Sequence, residues 1–155
     1  MKAFEDSIIA RLRLLEREVE RLRVGDKADS TAFGRPVFLT TPLTSTSWDG
    51  DGYSITGRTK IDLSSVFGVP DGIKAVLLSV KVRDSASQTS DTYIVLGPTN
   101  VAGQGVAVNP QYTNDRYNRA VVVVPCDENG DIYYDISASG TGTFDVIIQV
   151  FGYWL

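Results

Sequence analysis

A chain of 155 residues, 43% hydrophobic and 22% charged, is long enough for one domain, or a smaller domain with an appendage, and apolar enough to bury a core. Its net charge of −4 provides no basic stripe for phosphates, which argues against nucleic acid as a partner. A single cysteine, Cys126, excludes an internal disulfide and a thiolate metal cluster, and the absence of histidine removes the commonest general base and transition-metal ligand.

The N-terminal stretch MKAFEDSIIARL carries acidic residues where an export signal needs an apolar run. No segment approaches the ~18 apolar residues of a membrane span. A soluble protein without a signal peptide or membrane insertion is expected. From Ile8 onward, apolar residues recur at Ile8, Leu12, Leu15, Val19 and Leu22, alternating steps of four and three. This places Leu12 and Val19 at heptad position a, and Ile8, Leu15 and Leu22 at d, as in a coiled-coil seam. Arg11 and Glu18 then fall at g, and Glu16 and Arg23 at e, so parallel chains in register set Arg11 against Glu16 and Glu18 against Arg23. The narrow stripe and its charged flanks favour self-association over a helix packed on its own domain. RLRLLE (11–16) resembles the short trimerisation motif of many coiled coils, with Arg at g, aliphatics at a and d, and Glu at e. Phe4 and Ile9 widen the apolar side, which suits three helices better than two. The expected organisation is a trimerisation helix at 4–24, a linker at 25–36 where Gly25, Gly34 and Pro36 interrupt the period, and a β-sandwich at 37–155.

Beyond the linker the period becomes two. KAVLLSVKVR puts Val76, Leu78, Val80 and Val82 on one face, and GTFDVIIQVFGYW puts Phe144, Val146, Ile148, Val150 and Trp154 on one face. With PVFLT, YSITGRTKIDL, TYIVLG, GVAVN, YNRAVVVVP and DIYYDISA, these predict about eight strands in a sandwich or jelly roll, with no second helix. The terminal run FDVIIQVFGYWL is too apolar for a free tail and is expected inside the β-domain.

Two acidic stretches raise the question of a metal. WDGDGY (48–53) alternates acids and glycines as a calcium loop would, yet reads better as a glycine-rich turn. CDENGD has Asp127, Asn129 and Asp131 in EF-hand-like spacing, but Ile132 and Ala138 stand where that loop needs glycine and glutamate. Asn129-Gly130 between two β-runs suggests a hairpin turn instead. No metal and no cofactor are expected. NPQYTNDRYNRA (109–120) gathers Tyr112, Asn114, Arg116 and Tyr117, side chains that grip sugars or protein surfaces by stacking and planar hydrogen bonds; Trp48 is a further candidate of this kind. The same loop reads better as a long strand connection whose tyrosines cover the core edge. Cys126, at the end of an apolar run, reads as a buried inert thiol.

A trimer-type helix, a short linker and a β-domain ending on its last residue resemble small bacteriophage virion proteins of the tail- or head-fibre type. Over Lys60 to Leu155 the resemblance lies in IDLSSVFGVPDGIKAVLLSVKVRDS, TYIVLGP and VVVPCDENGDIYYDISASGTGTFDVIIQVFGYWL. It implies a non-enzymatic virion protein, a homotrimer bound to other virion proteins, with a host-surface glycan or protein as a further partner. No catalytic residue carries over. A capsid decoration protein that stabilises the shell is the alternative. A glycan-active enzyme using Asp49, Asp51, Asp115 or Asp131 is a remote one, and would need two carboxylates roughly 5 to 10 Å apart.

Overall fold

The computed structural model describes residues 34–155 apart from 87–90, Tyr112, Asn114 and the side chain of Asp51, together with Arg13, Leu15, Glu16, Arg17 and Val19. The chain divides into two compact units, Met1–Arg35 and Pro36–Leu155. In the first unit Arg13, Leu15, Glu16, Arg17 and Val19 have helical backbone; of the seam, Leu15 is 63% and Val19 48% exposed. The remaining oligomerisation positions, Ile8, Arg11, Leu12, Glu18, Leu22 and Arg23, lie outside the described residues, so a long coiled-coil helix is not shown.

The second unit is built from β1 (Pro36–Tyr53), β2 (Thr56–Ile61), α1 (Leu63–Phe67), β3 (Ala75–Asp84), β4 (Tyr93–Gly97), β5 (Val106–Val108), β6 (Asn118–Pro125), β7 (Ile132–Ser137) and β8 (Phe144–Trp154). These strands form two four-stranded antiparallel sheets, ordered β1-β8-β3-β6 and β2-β7-β4-β5. The apolar sides of both sheets contribute to one core: Val76, Leu78, Val80, Val82, Val146, Ile148 and Val150 from the first, Ile94, Leu96, Ile132 and Ile136 from the second. Alternation of apolar, largely β-branched residues makes this possible, because every second side chain on a regular strand points the same way. No helix among the described residues is long and apolar enough to cross a membrane.

The terminal strand is central: β8 lies between β1 and β3 and aligns with both along most of its length. One expectation about it changes. Leu77 pairs with Gly152 but Leu78 with Val150, so Phe151 is an extra residue in a bulge. The bulge reverses the alternation beyond it. Tyr153, paired with Val76, packs against the core, and Trp154 turns to the outer face, opposite Phe144 and Val150.

Three further expectations are corrected. First, a second helix does form, in LSSVF. Asp62 caps it by accepting from the Ser65 N–H (2.9 Å) and the Ser64 hydroxyl (2.8 Å), Gly68 closes it, and Leu63 and Phe67, one turn apart, insert into the core. Second, WDGDGY is neither a calcium loop nor a turn but the last part of β1, where the ladder slips between Thr44 and Asp49 and again before Asp51. Gly50 takes φ +85° at that irregularity, a conformation glycine adopts without strain.

Third, Asn129-Gly130 does not join a hairpin, because β6 and β7 belong to different sheets. The connection is a turn capped by Asp127, whose carboxylate accepts from the N–H groups of Asn129 and Asp131, both at 2.9 Å. Gly130, at φ +90°, packs so closely on the 72–73 backbone that a Cβ would lie 2.7 Å from the Gly72 nitrogen, and Gly72 N–H donates to Asn129 C=O at 2.9 Å. This turn thereby ties β7 to the approach of β3.

Candidate functional site

The register of the first sheet defines what its outer face presents. Directly paired residues point the same way, so the face can be followed in rows across β1, β8, β3 and β6. The first row is Pro36, Trp154, Ala75 and Pro125; the second Phe38, Gly152, Leu77 and Val123; the third Thr44, Gln149, Ser79 and Val121; the fourth Asp49, Ile147, Lys81 and Arg119. A last row holds Gly52, Asp145 and Arg83. Polarity is therefore graded, apolar where the chain enters at Pro36 and charged at the opposite end.

At the apolar end, Phe38 meets Trp154 edge to face at 6.4 Å between ring centroids and lies over Gly152, where a Cβ would touch its ring at 3.4 Å. Phe38 is nevertheless 68% exposed; Val121 is 67% exposed, and Val123 and Leu155 are exposed as well. Scattered apolar residues on a surface are ordinary, but neighbours in consecutive rows make a patch.

At the charged end, Arg83 donates to Asp145 through Nε (2.9 Å) and Nη2, and its Nη1 lies 3.1 Å from Asp115. The hydrogen bond to Asp145 is the main reason the guanidinium is held protonated even more firmly than usual. The Tyr117 ring faces both cations, Lys81 Nζ at 3.9 Å and Arg83 Cζ at 4.7 Å from its centroid, an arrangement worth about 0.5–2 kcal/mol in such settings. Beneath them the buried Asp84 carboxylate accepts from Ser139 N–H (2.9 Å), Ala86 N–H (3.0 Å) and the Ser139 hydroxyl, while its backbone oxygen accepts from Asp115 N–H at 3.0 Å. Asp115 sits at φ +59°, held there by these contacts on both its backbone and its carboxylate. Chemically this end offers an aromatic ring, positioned cations and paired acceptors, groups able to hydrogen-bond and stack on a polar ligand.

Of the binding residues expected from sequence, Tyr117 lies in this cluster and Arg116 beside it is exposed. Tyr112 and Asn114 lie outside the described residues. Trp48 does not belong with them: it is 5% exposed, stacks on Tyr53 at 5.2 Å and meets Tyr134 edge-on at 4.8 Å inside the core. Sequence alone does not point to Lys81, Arg83 and Asp145, because they sit on strands far from Tyr117 in sequence and the β3–β8 register brings them together.

Of the acidic residues considered for metal or glycan chemistry, Asp115 and Asp131 are each paired with a cation and lie far apart. Asp131 accepts from Lys60 Nζ (2.7 Å) and Leu63 N–H (3.2 Å) near the start of β3, whereas Asp115 pairs with Arg83 near its end. A ten-residue strand spans about 30 Å, so these two cannot flank one glycosidic bond. Asp49 belongs to the fourth row of the outer face, and the side chain of Asp51 lies outside the described atoms. Among the described residues, no three acidic or cysteine side chains cluster as a metal site would. Burial pushes the Cys126 thiol up to about 12, with Asp127 and Asp131 adding to the effect, so it stays protonated at neutral pH. No protein-family model matches the chain, and neither does any curated protein.

Proposed function

We propose that this chain is a non-enzymatic trimeric structural and adhesion module of a virion. The helix at 4–24 sets the three-chain stoichiometry as a coiled coil and attaches to a larger particle; the β-domain, a sandwich of jelly-roll type, projects and presents its charged end to a host surface. The observation that carries this reading is that Leu15 and Val19, at d and a of the heptad pattern, stand on helical backbone and are exposed in the single chain. Apolar side chains at those positions gain stability only when other helices cover them. The Tyr117 cluster supports the adhesive role, since it combines side-chain types that recognise sugars and proteins.

The test is binding of fluorescently labelled full chain to host cells and, separately, to purified capsid shells. Binding to cells that falls at least several-fold in the Tyr117→Ala, Arg116→Ala double variant supports the adhesive reading. Binding to shells alone, with no affinity for cells, replaces it with the decoration role. Release of soluble sugar from cell-surface polysaccharide by the protein would overturn the non-enzymatic assignment altogether.

A further inference from the structure

We infer that the apolar half of the first sheet's outer face, centred on Phe38, Leu77, Val121 and Val123, is the surface through which β-domains of neighbouring copies of this chain pack together; the inference rests on the trimer reading above. The edge strand β6 supplies the first reason. It is the last strand in its sheet, and between Arg119 and Asp127 it has no charged residue, with Val121 and Val123 pointing outward. Soluble proteins protect such edges with charges, bulges or a covering element, because a bare apolar edge templates aggregation. Here Pro125 guards only the strand's end. Over the rest, Val121 and Val123 stay exposed in the single copy, and a neighbouring copy would cover them.

The chain itself supplies that cover. The β-domain begins at Pro36, which belongs to the first, apolar row of the face. The twelve positions 25–36 that join it to the heptad segment reach at most about 40 Å when fully extended. Three copies joined through their helices therefore hold their β-domains at roughly millimolar effective concentration, so a patch of modest intrinsic affinity is occupied by its neighbour before any outside partner. The polarity gradient agrees with this placement. The rows nearest the point of entry are apolar, and the row carrying Arg83 and Asp145, with the Tyr117 cluster over it, is the farthest away and lies outside the contact.

The test is a dilution series of the full chain in the analytical ultracentrifuge. Val121→Lys with Val123→Lys should raise the concentration of half-dissociation by about ten-fold or more, since lysines buried at the centre of an interface lose most of its affinity. Ile55→Lys, an equally exposed apolar residue between β1 and β2 at the other end of the domain, should leave it unchanged. Placed in a Leu15→Asp chain, the two valine substitutions should not shift the melting of the β-domain, which shows that they act on association and not on folding. A wild-type trimer whose dissociation is indifferent to the valine substitutions overturns the inference while leaving the trimer intact. Equal weakening by Ile55→Lys overturns it also. A wild-type chain that sediments as a single copy at every concentration removes the trimer reading, and the inference with it.

Discussion

The outer faces of the two sheets use opposite solutions to the same problem. On the second sheet, Arg58 lies across Val95 and is 5% exposed, donating to Thr99 C=O (3.0 Å), Gln104 C=O (2.7 Å) and Val95 C=O (3.3 Å) and pairing with Asp135. That one guanidinium folds the 98–105 loop onto the sheet and saturates most of its donors, so the face is closed by the chain's own groups. On the first sheet no such group among the described residues crosses rows one to three, and Phe38, Val121 and Val123 are exposed. A buried cation obliges a fold to complete its surroundings, whereas an apolar face places no such demand on its own chain and is free to meet another. The second face is tied down by its own chain; the first leaves Phe38, Val121 and Val123 exposed in the single copy.

Substitutions on the two faces should separate them. The largest effect is expected from Arg58→Ala, which leaves Asp135 without its cation and several carbonyls without their donor; about 3 kcal/mol should be lost, visible as a fall of roughly 10 °C in the melting temperature. Gly130→Ala comes next. It forces a Cβ into a positive-φ position and against the Gly72 backbone, so about 2 kcal/mol or more should be lost in chemical denaturation, with the m-value unchanged. On the other face, Val121→Lys should change the unfolding free energy of the dissociated chain by less than about 0.5 kcal/mol. A large loss there would mean that this face, too, is held together within one copy.

The smallest effect concerns acid. Asp62 is held below its usual carboxylate range chiefly by the Ser65 N–H and next by the Ser64 hydroxyl. A depressed carboxylate contributes stability that is fully present above the unfolded-state value of 3.8 and is lost as pH falls through the folded-state value. Asp62→Asn, which keeps a capping oxygen without the titration, should therefore flatten the decline in melting temperature below about pH 4. If the decline is unchanged, other carboxylates account for it.

Much of the β-domain can be read from its alternation, because burial on one side of a strand repeats every two residues. Runs marking all eight strands are legible, including the terminal one, but β1 extends through WDGDGY, which reads as a turn. Neighbour relations were not, since alternation gives a face and says nothing about partners: β6 and β7 look like a hairpin around Asn129-Gly130 until Asp127 is seen capping the turn between sheets. Alternation alone puts Trp154 on the wrong face, because the bulge at Phe151 adds one residue without a proline or a charge to announce it. α1 was missed although its signals, Asp62 before LSSVF and Gly68 after, are local, because five residues are too few for a helical period to show. Within the candidate site Tyr117 was legible from the company it keeps in its loop, whereas Trp48 stood among acids and glycines and yet faces inward. Lys81 and Arg83 read as ordinary outward residues of β3, and only the fold sets them under the tyrosine.

The central claim is that three copies assemble through the heptad helix. Static light scattering of the full chain at micromolar concentration, run beside the Leu15→Asp variant, tests it most directly. Three aspartates meeting in one layer of the seam would bury unpaired charge at a cost of several kcal/mol. The expected result is about three times the 16.9 kDa chain mass for the wild type and a fall towards one chain mass for the variant, with the β-domain still folded. A wild-type mass of one chain, or a variant that remains trimeric, would contradict it.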